Sequence, residues 1–289
     1  MNVNMPLSAF QLELIDDLLQ LALKEDVNDG DHTSLACIPT EIVQKAKLLV
    51  KSDGIISGIE IAKLVIQKVD SSLQMEQIMQ DGESIKFGDI AFYITGNPIS
   101  ILTSERLVLN IMQRMSGIAT FTNSLVKKIS HTNTKILDTR KTGPGMRVLE
   151  KMAVVNGGAT NHRMGLYDMI MIKDNHIDFA GGIENAIDKV HAYLFDKQLN
   201  LKIEIEARTL QDVECIVNKG GVNRIMLDNF SPLQIMEALK MINGKYETEA
   251  SGGINEFNLV EYAETGVNFI SIGALTHQVK SLDLSLKAC

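Results

Sequence analysis

Six short apolar segments in the second half of the chain each run into polar or glycine residues that a buried strand does not need. The stretch from Lys135 ends in Asp138, Thr139, Arg140 and Lys141, and the next in Lys173 and Asp174. The third carries Glu204 and Glu206, the fourth Asp228 and Asn229, the fifth Ser251, Gly252 and Gly253, and the sixth Ile272, Gly273 and Ala274. Any strand can stop at a polar residue as it leaves a core, but six in succession point to one shared face that does chemistry. Its charge is uneven. From Asp138 to His176 there are six Lys or Arg against four Asp or Glu, leaving 22 against 32 elsewhere. A basic island on an acidic protein suits an anionic ligand. Arg grips carboxylate or phosphate with two parallel donors and Lys acts as a point charge, so Arg140, Lys141, Arg163 and Lys173 together fit a ligand with several anionic groups.

The late glycine turns, ASGGI and SIGAL, follow the last two segments. Glycine lets backbone amides approach a phosphate, and in β/α barrels the final loops often do so. Glu206 and Asp228 could hold a divalent cation bridged to phosphates, or simply pair with Lys173 or Arg140. Alternation along one strand puts Glu204 and Glu206 on the same face, so either remains a candidate. His162, His176 and His277 could move protons, with a structural hydrogen bond at least as good a reading for each. None has zinc spacing. The GGAT–NHR stretch is not a dinucleotide-binding fingerprint.

The elements that must carry these residues alternate. Helical stretches at Leu210–Lys219, Pro232–Ile242 and Glu256–Glu264 separate the apolar segments, which predicts parallel β/α units and an open or closed barrel, with a doubly wound sheet as the alternative. Earlier, apolar spacing and a Ser8/Gln11 capping box predict a helix from Ser8 to Lys24. Glu25–Thr33 reads as a loop, Ile59–Val69 as a helix, and KAKLLVKS and IAFYI as strands. Gly96 and Pro98 close this part. A long helix from Ser104 towards Lys128 follows, with a break expected near Gly117. Leu282–Cys289 is expected to fold back on the first domain.

A hydrophobic content of 45% with 22% charged residues is ordinary for a globular chain. The absence of Trp and a net charge of −8 argue against nucleic-acid or membrane-surface binding. Cys37, Cys215 and Cys289 are odd in number and lack ligand spacing, which suggests free thiols in a reducing compartment. The opening MNVNMPLSAFQLE has no basic and apolar signal pattern, and no apolar run is long enough to span a bilayer, so the cytoplasm is expected.

Ordered motifs along nearly the whole chain carry a resemblance. They are Glu25-Asp26 with Gly30–Thr33, SERLVLNIMQRMSGIAT from Ser104, DTRKTGPGMR from Asp138, NHRMGLYDMIMIKDNH from Asn161, IEIEA from Ile203, IMLDNF from Ile225, EASGGI from Glu249 and ISIGALTH from Ile270. In these the chain resembles quinolinate phosphoribosyltransferase, also called nicotinate-nucleotide pyrophosphorylase (carboxylating). The resemblance implies an N-terminal α/β sandwich domain (1–116, with 278–289 packing back) and an open, seven-stranded β/α barrel (117–277). It implies formation of nicotinate mononucleotide, pyrophosphate and CO₂ from quinolinate and phosphoribosyl pyrophosphate, with Mg²⁺, in NAD biosynthesis. It places Arg106, Thr139, Arg140, Lys141, His162, Arg163, Lys173 and His277 around the substrates, and Lys141, Lys173, Glu206 and Asp228 at the chemistry. Glu206 and Asp228 fall near ribose and metal, while Ser251–Gly253 and Ile272–Ala274 match the phosphate loops. Arg106 matches a residue lent to a neighbouring subunit, so a homodimer is implied. Two positions depart from the family pattern: Gly143 stands where Thr is usual, and Ala159 where a third Gly is usual. The rival readings are the related pyrophosphorylase-like protein of molybdenum-transport gene clusters, a nicotinate phosphoribosyltransferase without decarboxylation, and a silent anion-binding module.

Overall fold

The structure, a computed structural model, describes residues 7–289, so the first six residues of the opening lie outside it. In chain order its elements begin with α1 (Ala9–Asp26), α2 (His32–Cys37), β1 (Gln44–Val50), β2 (Gly54–Ile55), α3 (Ile59–Val69), β3 (Gln74–Gln77), β4 (Ser84–Ile85), β5 (Ile90–Gly96) and α4 (Pro98–Lys128). Next come β6 (Lys135–Leu137), α5 (Arg147–Asn156), β7 (Ile170–Ile172), α6 (Asp174–Ala180), α7 (Ile183–Asp196), β8 (Ile203–Ala207) and α8 (Leu210–Lys219). The last are β9 (Arg224–Asp228), α9 (Pro232–Ile242), β10 (Glu247–Ser251), α10 (Leu259–Ala263), β11 (Phe269–Ser271), α11 (Ala274–His277) and β12 (Leu284–Ala288). Two compact units form. One takes the chain up to Ser124, Thr142–Gly158 and Leu275–Cys289, and the other takes Leu125–Lys141 and Ala159–Ala274.

The first unit is built on an antiparallel sheet ordered β12-β1-β5-β3. Alternation along β1 buries Ala46, Leu48 and Val50 and leaves the residues between them more accessible, as a half-buried strand requires. β12 pairs with β1 from Ala46–Ala288 to Val50–Leu284. α1 carries the Ser8/Gln11 capping box. The Glu25–Thr33 stretch is not all loop: α1 runs on to Asp26, and Asp31 caps α2 by accepting from Ser34 N at 3.0 Å. α4 starts at Pro98 rather than Ser104, because proline suits the first helical turn. It also passes Gly117 without a break. There the glycine makes room instead: a Cβ would lie 2.4 Å from the Lys280 carbonyl oxygen.

α3 begins after Gly58, whose φ of 102° offers no side chain to cap it. Asp81 supplies the cap from a distant loop, accepting from Ile59 N at 2.8 Å. Burial pushes the Asp81 carboxyl up to about 6, against the opposing pull of the Ile59, Glu60 and Gly58 amides. The folded state therefore binds this proton more tightly than the unfolded chain. Its contribution is complete below the unfolded value and is lost as pH rises through about 6. Asp81→Asn should flatten that part of the stability profile. Denaturant melts between pH 4 and 7 should show the wild-type-minus-variant difference changing by about 2 kcal/mol.

The second unit holds a six-stranded sheet ordered β6-β11-β10-β9-β8-β7, with neighbouring strands parallel throughout. One parallel bridge, Leu137 to Thr160, adds a further backbone pairing beside β6. α8 and α9 open on complete capping boxes, Thr209 with Asp212 and Ser231 with Gln234, which is why their limits are sharp. Val213, Ile216, Ile235 and Ala238 are fully buried on these helices. The opposite is true of β8: Ile203, Ile205 and Ala207 take one face while Glu204 and Glu206 share the other, and all five are buried. A carboxylate face inside a sheet needs partners, and these define the site. Among the described residues no helix is long and apolar enough to cross a membrane.

Candidate active site

Beyond β6 the backbone is tied down before its cations begin. Asp138, fully buried, accepts from His162 N at 2.8 Å, and its own amide donates to Thr160 O at 3.3 Å. The Thr139 hydroxyl accepts from Lys141 N at 3.1 Å, shaping the turn that presents Arg140 and Lys141. Arg163 is steadied by donation from its Nη1 to Met169 O at 3.1 Å. The Asp168 carboxylate accepts from Met164 N at 2.7 Å and Gly165 N at 2.8 Å, closing the same turn. Burial lowers the Arg163 pKa, and the charge of Arg140 lowers it further. Arg140 Nε is buried with no hydrogen-bond partner. Two cations that repel each other, one with an unused donor, are arranged for an anion.

Lys173 caps α6, and its backbone amide donates to His176 Nδ1 at 2.9 Å. His176 thus serves the helix cap through that nitrogen. Glu206 ends near Asp228 on the neighbouring strand. Burial raises the Glu206 pKa and Asp228 raises it further, while Lys173 opposes both. Asp228 is likewise raised by burial, with Lys173, the Asn229 amide at 2.6 Å and Lys141 pulling it down. Two partly desolvated carboxylates side by side form an oxygen-only pair of the kind that takes Mg²⁺ together with substrate oxygens.

Deeper in the sheet Glu204 and Glu249 are fully buried. His162 Nε2 lies 3.0 Å from Glu204 Oε2 and 3.3 Å from Glu249 Oε2. Arg224 closes the group from β9, with Nη1 3.1 Å from Glu249 Oε2 and its guanidinium 4.1 Å from the centre of the Phe269 ring. Burial and the charge of Glu249 push Glu204 up to about 7. His162 Nδ1 accepts from Arg163 N at 2.7 Å, so the geometry keeps the ring's proton at Nε2, between the carboxylates.

The glycine turn after β10 is set by contact rather than by freedom alone. Gly252 has φ 94°, and a Cβ there would lie 2.2 Å from Asn229 Oδ1 and 2.9 Å from Asn229 N. Asn229 itself is left-handed, at φ 57°, and its amide donates to Ser251 O at 2.8 Å. Gly252→Ala should therefore displace Asn229 and cost about 2 kcal/mol of stability, read by thermal melting.

Family comparison decides what this face belongs to. The family described as quinolinate phosphoribosyl transferase, C-terminal domain, matches residues 118–287, and its N-terminal domain matches residues 31–116. The chain belongs to the quinolinate phosphoribosyltransferase family. A quinolinate phosphoribosyltransferase (decarboxylating) 1b of Nicotiana tabacum is 46% identical over 285 residues, covering 93% of this chain and 81% of that protein. A probable nicotinate-nucleotide pyrophosphorylase (carboxylating) of Bacillus subtilis is 41% identical over 269 residues, covering 93% and 91%. The crystal structure of NadC from Streptococcus pyogenes superposes with a TM-score of 0.91 at 36% identity, covering 99% of this chain and 100% of that one.

Against the family pattern, the sequence expectations divide. Arg140, Lys141, His162, Arg163, Lys173, Glu206, Asp228 and Ser251–Gly253 all lie in the unit with the parallel sheet. Ile272 lies there too, but its side chain is core, at 1% exposure. Arg106 and His277 are exposed and group with the first unit. The basic island is not one cluster. Arg147 and Lys151 sit on α5, which groups with the first unit, where Arg147 Nε donates to Thr142 Oγ1 at 3.1 Å. The structure also separates the two β8 carboxylates: Glu204 meets His162, and Glu206 meets Asp228 and Lys173. Sequence reasoning missed Glu249 and Arg224. Their signal was present, since Glu247, Glu249 and Ser251 share one face of a strand that ends in a ligand-type turn.

Proposed function

We propose that the chain transfers a phosphoribosyl group from phosphoribosyl pyrophosphate to quinolinate and releases CO₂, making nicotinate mononucleotide for NAD biosynthesis. The observation that carries this reading is the Arg140–Arg163 pair with its unpartnered buried donor, set in a family whose named members act on quinolinate. In this reading the two guanidiniums bind and orient the ring carboxylates. The quinolinate nitrogen attacks C1 of the ribose and forms the N–C1 bond as the C1–oxygen bond to pyrophosphate breaks. The pyridinium charge then accepts the electron pair left when the adjacent carboxylate departs as CO₂, and a proton replaces it on the ring. Lys141 and Lys173 stabilise charge on the departing pyrophosphate, and Ser251–Gly253 with Gly273 hold the sugar phosphate. Glu206 and Asp228 would hold Mg²⁺, which would supply positive charge to the pyrophosphate.

The same reading makes the working enzyme a homodimer in which exposed Arg106 reaches the neighbouring site. It places the enzyme in the cytoplasm, where Cys37, Cys215 and Cys289, all free thiols, stay reduced. One assay tests the activity: quinolinate, phosphoribosyl pyrophosphate and Mg²⁺, with nucleotide and CO₂ measured together. Equal amounts of both are expected. Nucleotide from nicotinate without CO₂, or calorimetric binding of phosphoribosyl pyrophosphate with no product, would overturn it.

A further inference from the structure

One ring nitrogen of His162 is hydrogen-bonded, and the other faces two buried carboxylates. Nε2 faces the Glu204 and Glu249 carboxylates at 3.0 and 3.3 Å, and Nδ1 accepts the Arg163 amide at 2.7 Å. The main chain is fixed as well, because His162 N donates to Asp138 at 2.8 Å. The two glutamates are fully buried and come from strands β8 and β10, which flank β9 in the sheet. Arg224 on the strand between them reaches Glu249 at 3.1 Å and holds the acidic pair in place.

We infer that Glu204 and Glu249 act as an acidic clamp that fixes the His162 ring, and that His162 is a positioning residue. It serves the site by setting the Arg163 main chain instead of passing protons to or from the substrate. A proton-transfer role needs a ring nitrogen within hydrogen-bond reach of the reacting group. Here reaching substrate would mean giving up a carboxylate or the Arg163 amide. The clamp works on geometry: a buried ring hydrogen-bonded at Nδ1 and facing two carboxylates at Nε2 resists rotation, and the guanidinium that follows it in sequence inherits that fixed origin.

This inference rests on the proposed reaction for its kinetic test, but not for its spectroscopic one. In the full-length protein labelled with ¹⁵N-histidine, and with the signal assigned by its loss in His162→Asn, His162 should show Nε2 protonated and Nδ1 unprotonated. A ring protonated at Nδ1, whether alone or together with Nε2, would overturn the clamp even if the enzyme turned over nothing. In kinetics, Glu249→Gln should raise the quinolinate KM about tenfold while kcat stays within about threefold. The phosphoribosyl pyrophosphate KM should stay near wild type, and the pH profile of kcat should keep both limbs. If Glu249→Gln does not fold, Glu204→Gln is expected to give the same KM and kcat split. Loss of one limb of the kcat profile in His162→Asn, with the quinolinate KM unchanged, would restore a proton-transfer role and overturn the inference. A folded Glu249→Gln with wild-type quinolinate KM would do the same.

Discussion

Lys173→Ala and Arg140→Ala should each lower kcat/KM for quinolinate about 10²- to 10³-fold, the usual loss when one preorganised electrostatic contact is removed. Far-UV circular dichroism and the melting temperature should stay near wild type, because neither cation holds the fold. Arg140 has a buried Nε with no partner, so its removal takes away no protein hydrogen bond at that atom. Lys173 is exposed, and its capping contact is made by its backbone amide, which alanine keeps. The two losses should differ in kind. Without Arg140, the charge that lowers the Arg163 pKa is gone and a single guanidinium is left to orient carboxylates, so KM should rise. Without Lys173, Glu206 and Asp228 lose the cation that both feel, so turnover should fall even at saturating quinolinate. Near-normal quinolinate kinetics in both variants would reject the site.

The largest stability loss is expected at Arg114→Met. Glu150 on α5 is fully buried, and Arg114 on α4 holds it through Nε at 2.8 Å. Arg114 Nη2 also donates to Thr276 O at 3.0 Å, and Glu150 accepts from Gly143 N at 3.3 Å. Removing the cation strands a charge with one remaining amide donor, and breaking such a pair costs about 3 kcal/mol once the part-exposed arginine is discounted. Urea titration should show a lower midpoint at unchanged slope. Replacing both residues by Met should recover much of the loss, since the cost lies in the unpaired carboxylate. A double variant as unstable as the single one would mean that the α4–α5 contact depends on packing rather than on the ion pair.

What the sequence made legible was local. Apolar spacing marked α8 and α9 to the residue, and the structure shows why their limits are sharp: a capping box starts each one. The cationic strand ends were legible for the same reason. Two kinds of fact were not. Thr142–Gly158 groups with the first unit, where Arg114 meets Glu150 and Asn156 meets Ser57, and no periodicity reports pairings across so much chain. The His162–Glu204–Glu249 group draws on the interiors of β8 and β10 and on the loop after Thr160, which are distant in sequence. Alternation showed Glu204 and Glu206 on one face but could not say that one looks to a histidine and the other to a neighbouring aspartate. A run of turn formers also misleads: Glu25–Thr33 reads as loop throughout, whereas the Asp31 carboxylate starts α2.

The pairing of β12 with β1 sets an order of events during synthesis. β1 is translated early, yet its neighbour at Leu284–Ala288 emerges more than two hundred residues later, on the order of 10–50 s at ordinary elongation rates. Until then one edge of β1 has unpaired amides and carbonyls. Strands β7 to β10 of the parallel sheet, all made by Ser251, can pair while translation continues. The sandwich around β1 must wait, so a nascent-chain chaperone would find its binding edge there.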